Sequence, residues 1–188
     1  IDLVISLGVE ASISAATISN KFNLPYTSKK SAELSTDKYL RLKKFKEFDV
    51  RTPNFIVYNN KNLGNINFPI LIKQKTGAGS RGVRIVDNKN NFDSIYSSLL
   101  SNNKDEIIIE EYIEGTEHSI EGYVDFDGNV NWIIVSDRRY QDKWKYFPKV
   151  IDDGDDLPSK LPKIVIEKII KESTKAVRSL GVSFGPVK

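Results

Sequence analysis

A chain of 188 residues can bury one sizeable core or two small ones, and 39% hydrophobic with 28% charged residues places it among globular rather than disordered sequences. Lys plus Arg (28) exceed Asp plus Glu (25) by a net charge of +3, too small an excess to argue for nucleic acid and better matched to an anionic small molecule. The lack of Cys and the single His exclude disulfides, thiol chemistry and a His-rich metal centre; with no apolar run near the ~18 residues of a membrane span and no signal peptide, the cytosol is the expected compartment.

In chain order, residues 1–7 read as a buried parallel strand, Gly8 as a turn and residues 11–22 as a helix stopped by Asn23-Leu24-Pro25. Ser35-Thr36-Asp37 offers a cap for a basic amphipathic helix over 38–48, with Leu40, Phe45 and Phe48 among its apolar positions. A short strand over 54–58 and a polar connection over 59–67 lead to strands at 68–73 and 83–86. Residues 91–100 read as a helix and 106–113 as a buried strand with an acidic end. Strands at 119–124 and 129–135 flank Asp127-Gly128-Asn129, a hairpin turn signal. A long polar loop, 141–162, precedes an amphipathic helix over 164–180 closed by Gly181, and a further strand begins at the last residues. Beginning and ending within an element points to a piece of a longer protein.

The stretch Ile70-Leu-Ile-Lys-Gln-Lys-Thr-Gly-Ala-Gly-Ser-Arg-Gly-Val-Arg-Ile-Val86 places a lysine and a glycine loop between two apolar runs. A Walker A loop needs Lys and Ser/Thr after its last glycine, whereas Val83 and Arg84 follow Gly82. Gly77-x-Gly79-x-x-Gly82 matches a dinucleotide fingerprint, but that version opens a helix, and Val83-Arg84-Ile85-Val86 alternates like a strand. The protein-kinase loop carries its lysine later, and here Lys73 comes first. What remains is a hairpin whose turn is a glycine lid offering unobstructed backbone N–H groups, the Ser80 hydroxyl and the Arg81 guanidinium to a polyphosphate. Lys73 either meets an anion at the end of its strand or snorkels to water. Glu110-Glu111-Tyr112-Ile113 could likewise read a base edge, with Glu117 on ribose hydroxyls, or merely face solvent.

Taken together, Asp37-Lys38 opening a helix, Thr52-Pro53, Lys73 with its glycine loop, Glu110 to Ile113 and Gly115-x-Glu117 resemble the ATP-grasp superfamily over nearly the whole chain. Within it, they resemble the carboxylate–amine ligases that include carbamoyl-phosphate synthase-like and amino-acid ligase proteins. The resemblance implies an α+β (α/β) fold with ATP between two antiparallel sheets. It divides the chain into the last β-α unit of a preceding domain (1–30), an N-terminal lobe with the lid (31–110) and an incomplete C-terminal lobe (111–188). It gives the phosphates to Lys38 and Lys73, the lid to Gly77, Gly79, Ser80, Arg81 and Gly82, the adenine to Glu110, Glu111, Tyr112 and Ile113, and the ribose to Glu117. Gln74 departs from the proline that commonly follows the lysine. ATP and Mg²⁺ are implied, with a small-molecule carboxylate and an amine as substrates. Family members continue past the Gly185-Pro186-Val187 type of strand into a metal-binding Glu and a Glu-x-Asn. No metal ligand is therefore expected in this chain, and it is expected to be inactive alone.

The remaining candidates carry less. His118 reads as a nucleotide contact or a satisfied structural residue, and Arg138 and Arg139 as a clamp for a substrate carboxylate or a solvated pair; no other catalytic residue is legible. Asp152-Asp153-Gly154-Asp155-Asp156 lacks EF-hand spacing and reads as an exposed acidic turn. The competing function is a nucleotide-binding module without catalysis, a sensor or scaffold, and a poorer one is RNA binding by the basic helix. Neither nucleic acid nor membrane is expected as a partner; a homodimer is compatible with the sequence.

Overall fold

Period-2 and period-3.6 patterning partition the chain into two groups of elements, each organised around an antiparallel sheet. The computed structural model describes residues 1–7, 11–58, 67–77, 79–80, 82–100, 106–140, 146–151 and 153–188. The turn at Gly8, all of the 59–67 connection but Asn67, Arg81, residues 141–145 and Asp152 lie outside them. By compactness, the chain separates into one unit of residues 52–115 with 139–154, and another of residues 1–51, 116–138 and 155–188.

The first unit carries β1 (Phe55–Tyr58), β2 (Ile70–Gln74), β3 (Val83–Val86), α1 (Lys89–Leu100) and β4 (Ile107–Glu111), with strand order β1-β4-β2-β3, every pair antiparallel. Ile70 and Ile72 of β2 and Ile107 and Ile109 of β4 bury one face of this sheet against Phe92, Ile95 and Leu99 of α1. Tyr58 meets Phe92 and Tyr96 edge-on beside that core. Alternation sends Leu71 and Lys73 of β2, Val83 and Ile85 of β3, and Ile108 and Glu110 of β4 to the opposite face.

The second unit begins with three helices: α2 (Ser12–Lys21), α3 (Lys29–Thr36) and α4 (Lys38–Glu47). Ser28 caps α3 by accepting from Ser31 N–H, and Asp37 both ends α3 and caps α4 by accepting from Leu40 N–H at 2.9 Å. The sheet has order β7-β6-β5-β8, built from β5 (His118–Val124), β6 (Val130–Arg138), β7 (Asp155–Asp156) and β8 (Gly185–Val187), all antiparallel. Helix α5 (Lys163–Ser179) packs on β5 and β6, where Trp132 Nε1–H donates to Thr174 Oγ1 at 2.9 Å. Ser31 Oγ donates to Gly181 O at 2.8 Å and ties α3 to the end of α5. A bulge at Glu121/Gly122 demands glycine, because a Cβ there would lie 2.4 Å from Asn131 O.

Three local expectations change. Residues 1–7 form no strand, and Ile1 is 94% exposed; a strand needs a hydrogen-bonding neighbour, and none of the described strands pairs with this segment. Helix α3 was not anticipated. Asp155 and Asp156 are half-buried and form β7 against Asp137 and Arg138 instead of an exposed turn, because Arg138 supplies the counter-charge.

Candidate functional site

In the first unit, the face of the sheet opposite α1 carries a buried ion pair. Lys73 Nζ lies 2.7 Å from Glu110 Oε2, with the two side chains 19% and 7% exposed. The register sets Leu71 across from Glu110 and Lys73 across from Ile108, so the charged residues are diagonal neighbours, within reach of two long side chains. The second carboxylate oxygen, Glu110 Oε1, is buried and accepts no hydrogen bond. A buried acceptor left unpaired costs about 1–3 kcal/mol, so a ligand donor that reaches it recovers that loss.

The loop after Lys73 has the geometry its glycines suggest. Gly77, Gly79 and Gly82 have φ of 90°, 66° and 74°, and Ser80 joins them at 55°. Positive φ is backbone that glycine adopts without strain, and at three of these positions no side chain stands between the backbone and an anion. No atom lies within 4 Å of a Cβ built on Gly77 or Gly79, whereas Gln74 covers Gly82. Val83 N–H closes the turn on Ser80 O at 3.1 Å.

Along β4, Glu111 Oε2 accepts from Asn54 N–H and Nδ2 at 3.2 and 2.9 Å, which commits its side chain to β1's entrance and leaves its backbone for other roles. Tyr112 is half-buried and Ile113 is 62% exposed. Lys75 pairs with Glu106 at 2.9 Å, and β3's outer edge is covered by Pro148, whose carbonyl accepts Ile85 N–H. Sequence reasoning named neither contact. Arg139 N–H donates to Gly154 O at 2.7 Å in the same unit.

In the second unit, Lys38 is the first residue of α4 and half-buried. Glu117 precedes β5; its carbonyl accepts Arg138 N–H at 3.0 Å, and its carboxylate lies 3.5 Å from Arg138 NH1. Arg138 also approaches Asp155 at 3.6 Å, so this arginine is held between two carboxylates on the sheet. Both ring nitrogens of His118 have partners, Thr116 Oγ1 and Asp137 Oδ1, each at 2.8 Å. The Lys160 N–H, followed by the Ser159 hydroxyl and then His118, holds the Asp137 carboxyl below its ordinary value. The cross-strand pairing of His118 with Asp137 could not be read by counting back from the hairpin turn, because the bulge at Glu121/Gly122 shifts the register by one residue.

Fit to the implied groups differs. The orphaned Glu110 oxygen, its lysine and the left-handed glycine turn fit a nucleotide with a donor-bearing base and a phosphate chain. For a divalent cation, no group of three or more His, Asp or Glu side chains among the described residues is placed to hold one. No described helix is long and apolar enough to cross a membrane.

Comparison with known proteins bears on the family and the fold. The ATP-grasp domain family matches residues 66–187. A D-alanine–D-alanine ligase of Bacillus anthracis is 27% identical over 170 residues, covering 85% of this chain and 54% of that protein. D-alanine–D-alanine ligase A of Bacillus cereus is 31% identical over 102 residues, 50% of this chain and 34% of that protein. The chain thus spans about a third to a half of the curated relatives it matches. Among solved structures, the L-amino acid ligase of Bacillus licheniformis superposes with a TM-score of 0.76 at 22% identity, covering 97% of this chain and 43% of that one. The N5-carboxyaminoimidazole ribonucleotide synthetase of Thermotoga maritima gives 0.68 at 17% identity, covering 96% and 45%. With the family matched over most of its length and two antiparallel sheets like those of its structural neighbours, this chain belongs to the ATP-grasp domain family.

Proposed function

We propose that this chain is the ATP-binding portion of an ATP-dependent carboxylate–amine ligase. The observation that carries the reading is the buried Lys73–Glu110 pair with one carboxylate oxygen unfilled, beside a left-handed glycine turn. Glu110 Oε1 accepts from the exocyclic amino group of adenine, Lys73 and Lys38 balance phosphate charge, and Gly77, Gly79, Ser80, Arg81 and Gly82 close over the phosphates. The backbone of Glu111 to Ile113 completes the base site, and Glu117 accepts from the ribose hydroxyls. Lys38 and Glu117 are assigned by the family order of motifs, as is the division into lobes at residues 31–110 and 111–188.

In the reaction, the γ-phosphoryl group of ATP passes to a substrate carboxylate. ADP is the leaving group; an amine then attacks the acyl phosphate, the carbon–oxygen bond to phosphate breaks, the nitrogen gives up a proton to solvent, and an amide and inorganic phosphate remain. The protein's part is electrostatic: fixed cations meet the charge spread over the moving phosphoryl group, and the lid excludes water that would hydrolyse the acyl phosphate. Arg138 and Arg139 are candidates for the substrate carboxylate, and the D-alanine and L-amino acid ligases among the similar proteins favour an amino acid in that position.

The test is a calorimetric titration of ATP and of GTP, each with Mg²⁺, into wild-type protein and Lys73→Ala. Guanine presents a carbonyl where adenine presents its amino group, so two acceptors would face each other at Glu110. The expected preference for ATP is roughly tenfold or more, with binding lost in the variant. Equal affinity for both nucleotides, or an unaffected Lys73→Ala, would remove this reading.

A further inference from the structure

His118 faces Asp137 across the β5–β6 ladder, and the two side chains form the middle of a longer chain of hydrogen bonds. At one end His118 Nε2 meets Thr116 Oγ1 at 2.8 Å; at the other, Asp137 Oδ1 accepts from Ser159 Oγ and Oδ2 accepts from Lys160 N–H at 2.9 Å. An ionised carboxylate only accepts, so Nδ1 carries a proton, and when the ring holds that proton alone Nε2 accepts from the threonine hydroxyl. If the ring gains a second proton, Nε2 donates and the hydroxyl turns to accept, so the link persists in both states.

The anchored end of this chain lies on the sheet, with the His118 side chain only 16% exposed. Its free end is Thr116, which is exposed and whose hydroxyl water would satisfy without any protein partner. The bond satisfies the largely buried Nε2 and at the same time ties the exposed residue before Glu117 to the sheet. The next residue is Glu117, whose carbonyl is held by Arg138 N–H at 3.0 Å.

We propose that His118 and Asp137 are positioning residues for the nucleotide: through Thr116 they fix the entry to β5 and so aim the Glu117 carboxylate at the ribose. The inference rests on the reading of Glu117 as the ribose acceptor. It assigns no chemistry to His118 itself.

The experiment compares ATP with 2′,3′-dideoxy-ATP, which lacks the hydroxyls Glu117 would hold, by calorimetry on the intact protein. Wild type should bind ATP about tenfold more tightly than the dideoxy nucleotide, the scale of a hydrogen bond to a charged group. In His118→Ala and in the isosteric Thr116→Val the ratio should fall to within about twofold of unity, with dideoxy-ATP affinity unchanged. His118→Gln, whose amide reaches the place of Nε2, should restore most of the ratio, and His118→Asn, whose amide takes the place of Nδ1, should not. In a Glu117→Ala background, His118→Ala should change nothing further. A wild-type ratio kept in both His118→Ala and Thr116→Val would overturn the positioning role while leaving Glu117 in place. A ratio of one in the wild type would overturn the ribose reading, and this inference with it. Should His118→Ala fail to fold, the exposed Thr116→Val substitution decides alone.

Discussion

Replacing both members of the Lys73–Glu110 pair should cost far less than replacing either. At 2.7 Å and an effective dielectric constant of about 20, their attraction is on the order of 6 kcal/mol, and most of it is spent on removing two charges from water. Lys73→Met strands a carboxylate that is 7% exposed, which should cost about 3 kcal/mol. Glu110→Leu strands an ammonium that is 19% exposed and can reach solvent along its stem, so the loss should be nearer 2 kcal/mol. The double variant leaves no stranded charge and should unfold within about 1 kcal/mol of wild type, giving a coupling of about 4 kcal/mol. Urea unfolding followed by far-ultraviolet circular dichroism measures all four proteins, and ATP titration of the folded double variant should show no binding. A double variant destabilised by the full sum, about 5 kcal/mol, would refute the pairing argument.

Two further outcomes follow from the second sheet. The folded-state value of the Asp137 carboxyl lies below the ordinary value of about 3.9, so its contribution is present above about pH 4 and lost as pH falls through the folded value. Asp137→Asn should therefore lower Tm at pH 7, with the gap to wild type narrowing as pH falls below about 4; a gap that does not narrow in acid would separate the effect from ionisation. Gly122→Ala places a methyl group against Asn131 O and Trp132, neither of which is a flexible tip, and should cost about 1–3 kcal/mol in chemical denaturation. A variant as stable as wild type would mean that the bulge relaxes.

Much of the fold could be read because local signals and tertiary pairing agree. The alternation of Val83-Arg84-Ile85-Val86 after the glycines marked the β2–β3 hairpin, the apolar run before Glu110 marked β4 as a buried strand, and Asp127-Gly128 marked the β5–β6 turn. Two of the failures, β7 and residues 1–7, share one cause, which is that strand pairing depends on residues outside the local pattern. β7 exists because Arg138 and Asp137 meet Asp155 and Asp156, and no local pattern in an acidic run announces that. Residues 1–7 look like a strand by composition and lack a partner among the described strands. At the candidate site, Lys73 and Glu110 were recognisable as residue types, but their direct pairing and the unfilled oxygen depend on strand register. The role of Thr116 was invisible, since nothing in its sequence context distinguishes it from an ordinary turn residue.

The two compact units are interleaved along the chain: a 64-residue stretch, 52–115, and a 16-residue stretch, 139–154, interrupt the unit that carries β5, β6 and α5. Neither unit can be cut out as one contiguous piece, and each must close long loops before its sheet is complete, which slows folding. The thermodynamic cost of that arrangement is small. Closure entropy grows only logarithmically, about 0.6 kcal/mol per doubling, so the longer excursion costs about 1.2 kcal/mol more than the shorter. Length changes confined to the connections within the excursion that bears the glycine turn thus cost the sheet it interrupts little closure entropy.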